Sequence, residues 1–382
     1  MKRARYTKYI FGATLLTFSL FFLFEKSIVR AVSSRSSSPP KNVYLLEAVI
    51  RLIRNDYIEE KDPVQTMNGT FQGLVNSLDS ASGYLNKEST ARYLDQKEAQ
   101  IKEPGLVLFK GYGFFPQIIG IIESSPAEKS GLQIGDYITE INGLSTPAMS
   151  LTEVNLYVRD KEETPLNLKI LREDKTLDVK VERALLFVEP IKYSDQEGFS
   201  GVLKIFKLAP PCVSEIKTKL WPTLKNRKKP LIIDLRNCQE GTFEEAQQFI
   251  NLFLKAENIG YLEKKEETKE AFSALQEPSL AELPLVVWIN QATIGPAEAI
   301  AAVLKEFKRA KIIGLPTPGL AAKHEFFLLE DGTSVLLTSG IFCLNSGDKL
   351  WGRGAEPDIR MEMKEQSFDA FLKKTQSLLS TS

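Results

Sequence analysis

The chain has 382 residues, 43% apolar and 26% charged, which is enough for two or three folded domains with sizeable cores. Lys plus Arg and Asp plus Glu both number 49, so the net charge is zero and no basic field exists to hold phosphate backbones, which excludes nucleic acid as the expected partner. Three widely spaced cysteines, Cys212, Cys238 and Cys343, define neither a metal site nor an evident disulfide framework and read as buried small hydrophobes, with one bridge plus a free thiol as the alternative; no metal or cofactor is expected.

In chain order, Lys2, Arg3, Arg5 and Lys8 precede sixteen uncharged residues, Tyr9 to Phe24, followed by Glu25, Lys26 and a Ser-rich run to Pro40. This pattern reads as an export signal kept as a membrane anchor through residues 9–24, with the positive end in the cytoplasm and the body exported to the cell envelope. A signal cleaved near Val29-Arg30-Ala31 is the alternative.

After this anchor and linker (1–40), a helical module is expected over 41–100. Leu46, Val49, Ile50, Ile53 and Tyr57 recur at helical spacing and predict a core-facing stripe. A second helix lies in "VQTMNGTFQGLVNSL" and leads into "LDSASGYL", where Asp79, Ser80 and Ser82 are turn and cap residues.

Residues 101–184 change to short β runs. "SSPAEKSGLQIGDYITEING", Ser124 to Gly143, predicts a short helix Pro126 to Ser130 ended by Gly131, a Gly135-Asp136 turn, a strand Tyr137 to Ile141 and an Asn142-Gly143 turn. The spacing resembles a PDZ domain. The resemblance implies that an extended peptide adds to a strand edge with its carboxylate on backbone N–H groups, and it carries peptide binding onto Gly105, Leu106, Val107 and Leu108. Glycine at 105 is expected to let the ligand approach.

From 185 to 365 the pattern is α/β. "KPLIIDLRN" and "LPLVVWIN" are buried-strand runs, and helical patterns follow each, at "GTFEEAQQFINLFLKA" and "AEAIAAVLKEF". A largely parallel, mixed sheet flanked by helices is expected, with a site at the strand ends Arg236 to Gly241 and Asn290 to Gly295. A C-terminal helix occupies 366–382.

"LDSASGYL", the PDZ pattern, "IIDLRN", "NQATIGPAEAIAA", "GLPTPG", "DGTSVLLTSG" and "GRGAEPDI" together resemble, in order and spacing, the C-terminal processing (tail-specific) peptidases of family S41. The resemblance covers residues 43 to 359. It implies an S41-like α/β core with an inserted PDZ domain and an N-terminal membrane anchor, and an exported Ser-Lys endopeptidase that cuts near polypeptide C-termini.

Such an enzyme needs a serine, a lysine kept neutral by burial to take its proton, and N–H donors for the oxyanion. Carried over position by position, the nucleophile falls on Gly295 and the lysine on Leu320. The glutamine that would orient the lysine falls on His324, and the oxyanion donor after the nucleophile falls on Pro296, which has no N–H. Of the glycine pair in the other oxyanion loop, one position is Glu240. No catalytic residue is left at these positions. The expected function is therefore a non-catalytic pseudopeptidase that binds polypeptide C-termini or unfolded segments, as adaptor or regulator of active S41 peptidases.

The alternative is a working endopeptidase with a displaced pair, Thr293 with Lys323 or His324. "SEIK", Ser214 to Lys217, matches the S-x-x-K spacing of penicillin-binding enzymes without their other motifs, and reads as coincidence on a surface helix.

Overall fold

The computed structural model describes residues 41–59, 62–98, 100–186 and 189–380. The expected anchor over 9–24 and the Ser-rich linker lie outside the described residues. Among the described residues no helix is long and apolar enough to cross a membrane.

Two units are distinct, one ending at Met67 and one running from Asn68. In the first, helix α1 spans Lys41–Asp56, and α2, Pro63–Asn76, begins there. Leu46, Val49, Ile53 and Tyr57 of the predicted stripe are exposed and Ile50 is half-buried, so the stripe is amphipathic but does not face a core within this unit. Periodicity fixes which side chains share a face; it does not supply the surface that covers them.

In the second unit, the Asp79 carboxylate accepts the Ala81 and Ser82 N–H groups at 2.8 and 2.6 Å and shapes the turn before strand β1, Gly83–Leu85. Asn76 accepts the Tyr84 N–H and donates to the Ala148 carbonyl, both at 3.0 Å, tying the end of α2 to β1 and to the next domain. Helix α3 is Lys87–Glu98.

The β domain contains β2 (Leu106–Phe109), β3 (Gln117–Ile121), α4 (Pro126–Lys129), β4 (Tyr137–Ile141), β5 (Leu144–Ser145), α5 (Leu151–Val158), β6 (Leu166–Arg172) and β7 (Lys175–Val181). The sheet order is β2-β3-β4-β6-β7, which leaves β2 at an edge. Ser125 and Ser150 cap α4 and α5 by accepting the N–H groups of Glu128 and Glu153. The Gly-Asp turn has a physical cause: Asp136, 1% exposed, accepts the Gln133 N–H at 2.8 Å and is forked by Arg172 at 2.7 Å.

The remaining strands are β8 (Ile191–Ser194), β9 (Val202–Ile205), β10 (Lys207–Leu208), β11 (Leu231–Asp234), β12 (Glu240–Gly241), β13 (Ala256–Lys264), β14 (Lys269–Ala274), β15 (Leu285–Ile289), β16 (Ala310–Gly314), β17 (Ala322–Leu328), β18 (Ser334–Cys343) and β19 (Ile359–Arg360). Their helices are α6 (Cys212–Glu215), α7 (Trp221–Leu224), α8 (Phe243–Ile250), α9 (Pro296–Glu306) and α10 (Phe368–Ser380). One sheet runs β19-β16-β15-β11-β9-β8, parallel except for β8. Its central strands β11 and β15 are buried throughout because both faces are covered. Their side chains alternate accordingly: Leu231, Ile233, Val287 and Ile289 pack with α8 and α9, while Ile232, Val286 and Trp288 pack with Phe371 of α10. A second sheet, antiparallel, has the order β1-β18-β13-β14, with β17 also on β18. All three cysteines are free and buried. Ser214 lies exposed, its hydroxyl donating to the Pro211 carbonyl.

Candidate functional site

The parallel strands β11 and β15 end side by side, and the chain beyond each builds the site. Asp234, 2% exposed, accepts from the Arg236 N–H, Nε and a terminal nitrogen at 3.0, 2.9 and 2.8 Å, and its partner Lys204 stands at 3.2 Å. Burial alone would raise this carboxyl; Lys204 and Arg236 overcome it and hold it at about 2. The Arg236 guanidinium lies over Phe371 and Trp288, 4.5 and 5.1 Å from their centroids, so the strand end is fixed from below.

Asn290 stitches the two loops together. Its side-chain oxygen accepts the Asn237 and Ala292 N–H groups at 3.0 and 3.1 Å, and its amide donates to the Asn237 side chain at 2.9 Å. Thr293 is fully buried: its hydroxyl donates to the Leu235 carbonyl at 2.9 Å and accepts the Asn290 N–H at 3.0 Å. Its proton and its lone pair are both committed to the backbone, which is the role of a structural cap and not of a displaced nucleophile.

Gly295 then stands at φ 66° and ψ −123° ahead of Pro296, the first residue of the almost wholly buried α9. A Cβ built there would find only the Leu320 carbonyl, at 3.9 Å. Leu320 is held by the Glu298 carboxylate, which accepts its N–H at 3.0 and 3.1 Å. Glu298 is itself inaccessible, and burial pushes its carboxyl up to about 8 against the opposing donors of Leu320, Gly319 and Gly295 and the Thr317 hydroxyl.

The "GLPTPG" and "GRGAEP" segments interlock behind Leu320. Thr317 accepts the Ala355 N–H on its hydroxyl at 2.7 Å, and Gly319 accepts the Gly352 N–H at 2.8 Å. Gly354 is obligatory, since a Cβ on it would sit 2.1 Å from the Thr317 carbonyl oxygen.

Gly295, Pro296, Leu320 and His324, four of the positions singled out in the sequence, therefore line one cavity of about 430 Å³. Leu151, Thr152 and Asn155 of α5 line it from the opposite side, so it is shared between the β domain and the α/β core. Its lining hydroxyls among the described residues are Thr152 and Thr242, and its titratable side chains are Glu244, Lys323 and His324. Thr242 caps α8 by accepting the Glu245 N–H at 3.1 Å. Lys323 is half-buried on β17 and stands 3.9 Å from Glu270, and His324 beside it is exposed. Close packing lowers the imidazole below its ordinary value, with Asp79 opposing.

The fifth position, Glu240, faces elsewhere. It lines a second cavity, of about 760 Å³, and pairs with Arg159 at 3.0 Å and Lys207 at 2.9 Å. No local spacing announces Arg159 or Lys207 as its partners, so sequence reasoning misses both.

The peptide-binding positions are also altered in meaning. Leu106, Val107 and Leu108 are 4, 0 and 3% exposed, so only the backbone edge of β2 is offered to a ligand. The space at Gly105, φ +88°, is filled by the Ser125 side chain, 2.3 Å from an ideal Cβ. The glycine admits Ser125, not a ligand.

Residues 182–361 match peptidase family S41, and residues 117–172 match the PDZ domain. A "Probable CtpA-like serine protease" of Staphylococcus aureus (strain Mu50 / ATCC 700699) is 27% identical over 367 residues, 95% of this chain and 73% of that protein. The "Carboxy-terminal processing protease CtpA" of Bacillus subtilis (strain 168) is 27% identical over 369 residues, 96% of this chain and 79% of that protein. Among solved structures, a photosystem II D1 C-terminal processing protease shares the fold with a TM-score of 0.69 at 17% identity, covering 84% of this chain and 88% of that one. With both domain matches in place around the shared cavity, the chain belongs to peptidase family S41 and carries a PDZ domain ahead of its peptidase domain.

Proposed function

We propose that this chain is a non-catalytic S41 homologue, an adaptor or regulator that binds polypeptide C-termini along the β2 edge of its PDZ domain. The observation that carries the reading is the pairing of Gly295 with Leu320: a side chain at 295 would point at the Leu320 loop, and neither position bears a group that can attack or accept a proton. Losing one well-placed oxyanion donor costs about 3 kcal/mol, and losing the nucleophile costs more, so the missing groups together remove most of an acyl-transfer rate enhancement. Thr293, the displaced candidate, is committed to the backbone on both sides of its hydroxyl.

The reading includes export and retention at the inner membrane through residues 9–24, resting on the charge pattern of the N-terminus. Its partners are polypeptide C-termini and active members of the family.

The test incubates the full-length chain with an unstructured protein ending in apolar residues and reads products by mass spectrometry. No cleavage is expected, while fluorescently labelled C-terminal peptides bind. Cleavage that persists through purification and disappears in Thr293→Ala or Lys323→Ala overturns the proposal.

A further inference from the structure

The PDZ domain meets the core through two contacts of different kinds. One is close and apolar: Val107 and Ile119 pack on Ala292, and Asn237 donates its side-chain amide to the Ile121 carbonyl at 3.1 Å. Gly120 sits so near that a Cβ would lie 2.5 Å from the Ala292 Cβ. The other is ionic. Arg159, just past α5, reaches Glu103 at 3.3 Å with its Nε and Glu240 at 3.0 Å with a terminal nitrogen. Glu240 also holds Lys207, its neighbour across the β10–β12 pair, at 2.9 Å. Two acids and two bases alternate along the seam, and Arg159 and Glu103 are 25 and 11% exposed in their side chains, so the guanidinium is largely withdrawn from water.

We propose that Glu240 is a latch residue, which through Arg159 keeps the PDZ domain docked on the α/β core. Asp234 and Arg236, near the same strand end, form their own closed pair and take no part. The apolar contact is a small cluster on one side of the domain and acts as a pivot, and the ion pair, on the far side of α5, resists rotation about it. Position 240 is where the family resemblance calls for a glycine, so the latch is a property of this chain. Its consequence rests on the proposed function: the cavity between α5 and Gly295 keeps its shape only while the latch is shut, so latch opening sets access to the peptide site.

The test is amide hydrogen exchange on the full-length chain without peptide, comparing the parent with Glu240→Ala, Arg159→Ala and the double variant. Exchange over residues 117–121 and 290–294 is expected to rise about tenfold in each single variant, with the double no faster than the faster single. About 1 M salt reproduces the rise in the parent and adds nothing in Glu240→Ala, because it screens a pair that is already gone. Exchange at Ile138 and Ile170 in the PDZ core, and at Ile232 and Val286 in the α/β core, stays unchanged. Parental exchange at 117–121 and 290–294 in Glu240→Ala overturns the proposal, and so does a rise that extends to Ile138 and Ile170, which marks a purely structural role. A separate peptide titration keeps the two ideas apart: no peptide binding with a salt-sensitive latch defeats the proposed function alone.

Discussion

A Cβ on Gly295 would stand 3.9 Å from the Leu320 carbonyl oxygen and meet nothing else within 4 Å, although the backbone there has a φ of 66°. The conformation is one that L residues rarely adopt, and it is aimed at open space at the head of a buried helix. The socket for a reactive side chain persists with nothing in it.

Gly295→Ser is therefore predicted to fold, with only the left-handed strain of about 1 kcal/mol to bear. Urea unfolding measures the loss. A cost well above about 3 kcal/mol would show that the socket is closed to side chains.

Gly352 and Gly354 offer a matched comparison of strain with space. Both have positive φ, 71° and 74°, but a Cβ on Gly352 meets nothing within 4 Å, whereas one on Gly354 collides with the Thr317 carbonyl at 2.1 Å. Gly352→Ala should cost about 1 kcal/mol and Gly354→Ala about 3 kcal/mol or more, because the second must also push the 317–320 loop aside. Equal midpoints in chemical denaturation would sink this account of the interlock.

Glu298 sets a pH dependence with a definite sign. Its carboxyl rises from an ordinary 4.5 to about 8 in the fold, so between those values the folded state binds more protons than the unfolded chain. Its contribution to stability is complete below pH 4.5 and is lost as pH rises through about 8. Glu298→Gln removes that slope: its denaturation midpoint should vary less than the parent's between about pH 5 and about pH 9. Parallel curves for the two proteins would contradict it.

Gly105→Ala is predicted to lower the melting temperature of the PDZ domain, since its methyl group would overlap Ser125 at 2.3 Å in a left-handed conformation. The expected loss is about 2 kcal/mol, partly recovered by Ser125→Gly. Weaker peptide binding in Gly105→Ala alone then reports a damaged domain. An unchanged melting temperature with weaker binding would restore position 105 as a ligand contact.

The strand and helix pattern from Leu231 to Gly314 is legible in the sequence because each element is long, apolar on a fixed period and bounded by turn residues. The same holds for the PDZ segment, where Ser125, Gly131 and Asp136 act on neighbours a few residues away. The stripe of α1 is a face, as its spacing predicts, but not the core contact expected of it, because burial belongs to a pair of surfaces and the sequence displays one of them.

The absent chemistry follows from residue identity alone: Gly295 has no side chain, Pro296 has no N–H and Leu320 cannot take a proton, whatever surrounds them. Packing had to be seen before Gly295, Leu320, His324 and α5 could be placed around one cavity, before Gly105 could be found making room for Ser125, and before Glu240 could be found turned away to Arg159. Those outcomes depend on which distant groups arrive within hydrogen-bonding or van der Waals reach once the sheets pack, and contacts of that range leave no period or spacing along the chain.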